Sequence, residues 1–420
     1  MDFMSNPNVK SYLDEVCSEI KNKRVHNEIK DELLCHIEEI TLSYIDSGLN
    51  QEDALNKAIS QMGSSLTIGT ELNKVHKCKA DWKLLSLTFM LVTIGILSLY
   101  FIGMQNNNPA FLKKALLFSF IGFITLYISS FLDYRKLKLH SKGMYVVTLI
   151  LLVLTTMNSP VNGVNAWLNL GGGITFNIAY ISPFLLTIAL SGIIDELDFK
   201  KKNHILIGSI LFLIPSVFIC FTNALSILFT YLICTIVLMK TSKINTKYIV
   251  LNVFLQIPLM VFSILNYISY TDFTSRNFLY STLNTFLNSS VLLGKSSSFN
   301  ADLVPNLHID FTFAFIIYYF GWIAGIITLS VFIMLIIRLV KFIPMVKNSY
   351  GRLLLSGFVS IFTVQFLWTI LMNFNLAPLT IAGLPFISYG GTGAVFNLLV
   401  IGIITNIYKG KTVSQPILTK

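Results

Sequence analysis

The chain has 420 residues, of which 54% are hydrophobic and only 12% charged. Its mean hydropathy of +0.69 excludes an ordinary soluble globular protein and points to a polytopic helical membrane protein. The net charge of +10 fits either a nucleic-acid footprint or positive-inside anchoring, and the basic residues decide for anchoring because they cluster in short loops between apolar runs.

Residues 1–80 differ in kind from the rest. The first 30 are polar and charged, so no cleavable signal peptide is expected. Val16, Ile20, Ile29, Leu33, Ile37 and Ile40 follow helical spacing, with Glu15, Glu19, Glu28, Glu32 and Glu39 on other faces. Ser47-Gly48-Leu49-Asn50 should break that helix. Asn50 can then cap a new one over residues 51–62, which Gly63 ends, and residues 64–73 read as a further short helix. This is a small soluble helical domain. The five cysteines, Cys17, Cys35, Cys78, Cys220 and Cys234, have no metal-ligand spacing, and no disulfide framework is expected of them. His36 and His76 fit surface or capping roles better than metal binding.

The prefix also contains Tyr12-Leu13-x-x-Val16-Cys17, Glu28-Ile29-x-x-Glu32-Leu33-x-x-His36-Ile37, Gly48-Leu49-x-x-Glu52-x-Ala54, Ala58-x-x-x-Met62-Gly63 and Leu72-x-x-Val75-His76. That pattern resembles the "permease prefix" domain found ahead of some membrane proteins. It is silent on activity.

Trp82 starts the membrane part, residues 81–420. About ten spans are expected, each near the ~20 residues a bilayer requires: 83–103, 113–132, 143–158 (short), 176–194, 204–222, 224–240, 248–268, 311–336, 353–374 and 388–408. The fold class is therefore all-α, a ten-span bundle with one large extracytoplasmic loop, 269–309, preceded by the soluble helical domain. Arg135, Lys136, Lys138, Lys142, Lys200, Lys201, Lys202, Lys243, Lys247, Arg338, Lys341, Lys347, Arg352 and the tail lysines Lys409, Lys411 and Lys420 fall on one side. Only Lys113, Lys114, Arg276 and Lys295 fall on the other. The first side is expected to be cytoplasmic, together with both termini.

All three large outward loops carry unusual residues. In loop 158–175 the glycines allow a tight re-entrant turn, and Trp167 can be an interfacial anchor or pack against a lipid-linked substrate. In the last outward loop, Pro385 stops any earlier helix and Ser388 can cap the next. The glycine-rich start of that helix offers bare N–H groups to an anion such as a diphosphate, or simply packs through small residues. In loop 269–309, Asp302, His308 and Asp310 lie close together, with Lys295 upstream. Acids in solvated loops usually only solubilise. Asp310 is the exception, since the apolar run starting at Phe311 puts it at the membrane edge, where an acid is costly without a purpose. There it could act as a general base on a sugar hydroxyl if its pKa is tuned toward neutrality.

These residues form motifs. Leu384-Pro385-Phe386-Ile387-Ser388-Tyr389-Gly390-Gly391 and His308-Ile309-Asp310-Phe311-Thr312-Phe313-Ala314, the latter followed by Phe320-Gly321, resemble signatures of the SEDS proteins (FtsW, RodA and SpoVE). Asp302 matches a second family acid, Gly163 and Trp167 a Gly-x-x-x-Trp, and Gly294 a glycine-rich entry. The resemblance covers about residues 83–408.

It implies a peptidoglycan glycosyltransferase of the bacterial cytoplasmic membrane, polymerising lipid II beside a class B penicillin-binding protein. Its settings are division, shape or sporulation. Asp310 would be catalytic, deprotonating the acceptor 4-hydroxyl, which attacks the anomeric carbon with inversion and expels undecaprenyl diphosphate. Asp302, His308, Trp167, Lys295, Ser388, Tyr389, Gly390 and Gly391 are the expected substrate contacts. A Mg or Mn ion would help neutralise the diphosphate. No organic cofactor and no nucleic acid are expected.

The chain departs from the family pattern at several charged positions. Asn165 and Ala166 stand where arginine precedes the tryptophan, Tyr180 and Pro183 replace a glutamate and a lysine, and Tyr318-Tyr319 replace Glu-Glu. Two alternatives follow. One is a non-catalytic SEDS-like scaffold or regulator. The other is a lipid-linked precursor flippase, which would need a polar path that the few charges, with Asp195 and Glu196 at a cytoplasmic edge, do little to supply. The added prefix domain suggests a specialised paralogue.

Overall fold

The computed structural model describes residues 6–75, 81–105, 108–158, 160, 163–169, 171, 175–199, 201–270, 273–295, 304 and 306–410. Two compact units share the chain, one built on residues 1–80 and one on residues 81–345 and 349–407.

The described residues of the first unit include α1 (Pro7–Ser18), α2 (His26–Asp46), α3 (Gln51–Met62) and α4 (Ser65–Val75). Asn6 caps α1 by accepting from Asn8 N at 2.9 Å, with Pro7 in the first turn. The spacing from Val16 to Ile40 reads as one helix, but the chain turns between Ser18 and His26 through a short 3-10 segment, Lys23–Val25. Tertiary packing explains the difference. Val9, Leu13 and Val16 of α1 share one core with Ile29, Leu33 and Ile37 of α2, and one straight helix cannot fold those faces onto each other. Asn50 caps α3 as expected, accepting from Asp53 N at 2.8 Å, and Gly63 ends it at φ +93°. At Gly69 a Cβ would come within 2.8 Å of the Val16 carbonyl oxygen, so glycine lets α4 lie directly on α1.

The second unit contains α5 (Trp82–Gln105), α6 (Ala110–Phe131), α7 (Arg135–Leu139), α8 (Ser141–Thr156), α9 (Ile178–Asp195), α10 (Lys202–Phe221), α11 (Leu225–Thr241) and α12 (Thr246–Tyr270). These are followed by α13 (Phe273–Asn288), α14 (Thr312–Phe320), α15 (Trp322–Phe342), α16 (Ser349–Asn373) and α17 (Gly391–Lys409). Among the described residues, eight helices are long and apolar enough to cross a membrane, and α8 and α11 are shorter apolar helices. The protein is a multi-pass membrane protein. Helices α9 and α16 form the centre, each with 78% of its apolar window buried, while α6 and α12, at 17%, are peripheral. Prolines inside spans are tolerated because side chains take over the freed carbonyls. Pro215 frees the Leu211 carbonyl, which accepts from the Tyr145 hydroxyl at 2.9 Å. Pro183 frees that of Ala179, which accepts from Ser182 Oγ at 2.9 Å.

Three features differ from the sequence expectation. The run 311–336 is not one span. It breaks at Gly321, where φ is +92°, into α14 and α15. Backbone bonds to the preceding loop replace the helical ones: Gly294 N donates to Phe320 O at 3.2 Å, Trp322 N to Val291 O at 3.0 Å and Ile323 N to Leu292 O at 3.3 Å. A Cβ on Gly321 would collide with the Leu292 carbonyl. Second, loop 269–309 is not irregular throughout, because α13 occupies much of it and buries Leu283, Phe286 and Leu287. Third, the turn around Trp167 is a small antiparallel ladder, β1 (Trp167–Asn169) against β2 (Thr175–Asn177), with Trp167 opposite Asn177.

Candidate functional site

Asp310 sits in a turn just before α14. Asn306 adopts a left-handed φ of 55° and its carbonyl accepts from Ile309 N at 2.9 Å and Asp310 N at 3.0 Å, which curls the chain tightly ahead of the helix. The Asp310 side chain then turns into the protein, with 7% exposure. Its Oδ1 accepts from the Ala382 N–H at 3.1 Å. Burial pushes the carboxyl up from its ordinary 3.8 to about 7, and the Ala382 hydrogen bond opposes the shift only in part.

The loop after α16 closes over this turn. Tyr389 N donates to the His308 carbonyl at 2.8 Å. The His308 ring packs between Phe111 and Tyr389, with ring centroids 4.5 and 5.4 Å away. Burial lowers its pKa. A Cβ on Gly383 would lie 3.1 Å from Ser388 Cβ and 3.5 Å from the Ile309 carbonyl oxygen, so glycine allows the two loops to touch. Ser388 was expected to cap the final helix. It does not, because α17 starts only at Gly391. Its Oγ instead accepts from Leu384 N at 2.7 Å and closes the turn 384–388. Gly391 serves packing, since a Cβ there would collide with the Phe118 ring, whereas a Cβ on Gly390 would meet nothing. Beside this loop a small apolar crevice of about 20 Å³ lies against α5 and α6, with Gly95, Leu99, Phe118, Ser119, Ser388 and Tyr389 among its walls.

Of the site residues expected from the sequence, His308, Asp310, Ser388, Tyr389 and Gly390 come together here. Trp167 and Lys295 have other settings. The Trp167 carbonyl accepts from Asn158 Nδ2 at 3.3 Å, and Lys295 Nζ lies 5.4 Å over the Tyr319 ring. Among the described residues no hydrogen bond or ion pair joins either to Asp310. Asp302 lies outside the described residues. Asn373 was missed. It is fully buried, its Nδ2 donates to the Asp310 carbonyl at 3.1 Å, and its Oδ1 accepts from Ala314 N at 3.0 Å. The available signal was a polar residue on every turn of an apolar span, Gln365, Thr369 and Asn373.

The profile of the FtsW, RodA and SpoVE family, described as cell cycle protein, matches residues 79–412. The chain belongs to this family. It is 23% identical over 363 residues to the probable peptidoglycan glycosyltransferase FtsW of Trichlorobacter lovleyi, covering 79% of this chain and 93% of that one. It is 24% identical over 373 residues to the stage V sporulation protein E of Bacillus subtilis, covering 79% and 97%. Among solved structures, the rod shape determining protein RodA of Thermus thermophilus matches with a TM-score of 0.63 at 19% identity, over 80% of this chain and 99% of that one. A chain of a peptidoglycan synthase complex, described as coordinating polymerization and crosslinking, matches with a TM-score of 0.66 at 20% identity, over 79% and 98%. FtsW, RodA and SpoVE proteins thus share this fold along nearly their whole length, while residues 1–78 lie outside the family match.

Two positions where the resemblance implies charge, Tyr180 and Tyr318, carry neutral groups that are bonded or packed. The Tyr180 hydroxyl donates to Asn397 Oδ1 at 3.1 Å and lies 3.4 Å from Gln365 Oε1, tying α9 to α16 and α17. Tyr318 is buried and stacks on Phe286 of α13 with centroids 4.2 Å apart.

Proposed function

We propose that this chain is a peptidoglycan glycosyltransferase that polymerises lipid II, with Asp310 as its general base. The observation that carries the reading is a buried carboxyl, raised to about 7, that has no cationic partner among the described residues and stands at the start of α14. A base poised near the working pH combines the right protonation state with useful proton affinity. Asp310 takes the proton of the acceptor sugar 4-hydroxyl as that oxygen bonds to the anomeric carbon of the donor. The bond from that carbon to the diphosphate breaks, undecaprenyl diphosphate leaves with the bonding electrons, and the anomeric configuration inverts. The acceptor hydroxyl would approach the other carboxylate oxygen, with the Ala382 N–H still bonded to Oδ1. The open Gly390 backbone, with Ser388 and Tyr389 beside it, suits the diphosphate. His308 and, by the motif, Asp302 would line the sugar side. Trp167 and Lys295 would contact substrate only from farther along the loops.

Among the described residues no group of three or more His, Cys, Asp or Glu side chains could hold a metal ion. A Mg or Mn ion would help neutralise the leaving diphosphate. Basic loop residues support an orientation with both termini cytoplasmic and loop 269–309 outside, in the bacterial cytoplasmic membrane. The relative found in a peptidoglycan synthase complex supports a class B penicillin-binding protein as partner.

The neutral groups at positions 180, 183, 318 and 319 favour a second reading, a scaffold that retains the fold without the reaction. The deciding experiment is polymerisation of labelled lipid II by the purified protein with Mg or Mn. It is run with and without a class B penicillin-binding protein and with Asp310→Ala as control. Polymer lost in the variant supports the enzyme. No polymer in any pairing supports the scaffold.

A further inference from the structure

Polar side chains inside a membrane span are costly unless each finds a partner. Gln365, Thr369 and Asn373 lie one turn apart on a single face of α16, which places them above one another, and all three are buried. Each is used. Asn373 Nδ2 donates to the Thr369 carbonyl at 2.8 Å as well as to that of Asp310. Thr369 Oγ1 lies 2.8 Å from the Gln365 carbonyl and 3.1 Å from the Ala382 carbonyl. The Ala382 N–H is the donor to the Asp310 carboxylate. Gln365 meets the Tyr180 hydroxyl, which also bonds Asn397 of α17.

This ladder therefore grips Asp310 twice. Asn373 holds its backbone and, through the Ala314 N–H, the first turn of the helix that follows. Thr369 holds the far side of the residue whose N–H faces the carboxylate. Among the described residues no hydrogen bond joins any of the three to an expected substrate contact, and none carries charge. The ladder ends on Tyr180, where the family motif has glutamate.

We propose that Asn373 and Thr369 are positioning residues for the reaction at Asp310, and that the α16 ladder is the frame setting the direction and depth of its carboxylate. This rests on the reading of Asp310 as the base. With Asn373 truncated, the Asp310 carbonyl and the Ala314 N–H are both buried without a partner, and the turn must shift to find water. A shift of about 1 Å in a reacting group costs about 100-fold in rate. Burial is the main cause of the raised proton affinity of Asp310, and no charged side chain contributes to it. His308, two residues away, faces the rings of Phe111 and Tyr389. Loosening the turn should therefore move the carboxyl back toward ordinary values.

The test uses Asn373→Ala, Thr369→Val and Thr369→Ser in the full chain, with two readouts. One is polymerisation of labelled lipid II against pH, giving kcat and KM. The other needs no activity: the pH dependence of carbodiimide labelling at Asp310, a reaction of the protonated carboxyl, read by mass spectrometry. We expect Asn373→Ala to lower kcat about 10- to 100-fold, with KM within about twofold of the parent. Its labelling midpoint and the acid limb of its pH profile should move to lower pH together. Thr369→Val should act in the same direction by a smaller factor, and Thr369→Ser should restore the parent behaviour. Should Asn373→Ala fail to fold, the threonine pair alone decides. Labelling curves that coincide in all variants overturn the proposal, as does a Thr369→Ser as impaired as Thr369→Val. If labelling moves but no variant or parent polymerises, positioning stands and the enzymatic reading falls. If the parent polymerises and only the labelling and kcat effects are missing, the positioning proposal falls alone.

Discussion

Buried carboxylates occur at both ends of the membrane unit, and their surroundings differ. At the end rich in basic loops, Asp195 is buried against Lys138, whose Nζ is 2.6 Å from its Oδ2. Asp81, at 4% exposure, is paired with Arg338 and also accepts from Leu84 N at 2.7 Å, capping α5. At the other end Asp310 is buried as deeply, yet among the described residues its side chain meets a backbone N–H rather than a cation. Where a cation supplies the compensation, the carboxylate acts as a latch between helices. Where desolvation is left largely uncompensated, the carboxyl keeps a proton affinity suited to chemistry.

The sharpest way to break this contrast is to remove each acid in turn. Asp310→Ala should lower lipid II polymerisation at least about 100-fold, the usual contribution of a general base, while the protein still purifies as a folded membrane protein. Residual activity near the parent level in a gel-based polymer assay would put Asp310 in the same class as Asp195.

The next largest effect is in pH. A base must be deprotonated, so kcat should rise with pH through about 7 and fall about tenfold per unit below it. Stability should run the opposite way. The folded state holds the Asp310 proton more tightly than the unfolded chain, so the benefit is complete below about 4 and is lost as pH rises to about 7. Melting in detergent should accordingly be lower at pH 8 than at pH 5, and Asp310→Asn should flatten that difference.

Lys138→Met should have the reverse profile. It leaves Asp195 buried without its cation and should cost about 2 kcal/mol, less than a fully buried pair because Lys138 is partly exposed. It should leave kcat unchanged, and thermal melting beside a turnover assay separates the two effects. Smallest of all, removing residues 1–79 should leave the membrane unit able to insert and fold, since residues 81–345 and 349–407 form a compact unit. Monodisperse gel filtration of the shortened protein checks this.

Much of this architecture was legible in the chain. Apolar runs near bilayer length report spans because a helix is the simplest way to satisfy every backbone group in lipid. Asn50 and Gly63 reported the ends of α3 because capping is a local bond. The motif around His308 and Asp310 was visible, as was the apolar run that begins at Phe311. The break at Gly321 was not, because the groups that replace its helical hydrogen bonds belong to residues 291–294 and reach it only through folding. The helix α13 was hidden by its serines, threonines and asparagines, and its apolar stripe of Leu283, Phe286 and Leu287 makes sense only against α14.

What the sequence determined by itself is the class of molecule: a helical prefix, a multi-span bundle and an acid between a polar loop and an apolar run. These depend on composition, period and local bonds. What only the tertiary structure decided is the character of that acid. Asp310 is adjacent to solvated loop in the chain, but the Ala382 segment covers it from 72 residues away and Asn373 anchors it from 63 residues away. Burial and hydrogen-bond geometry set a carboxyl's proton affinity, and both are properties of the packed neighbourhood rather than of the residue.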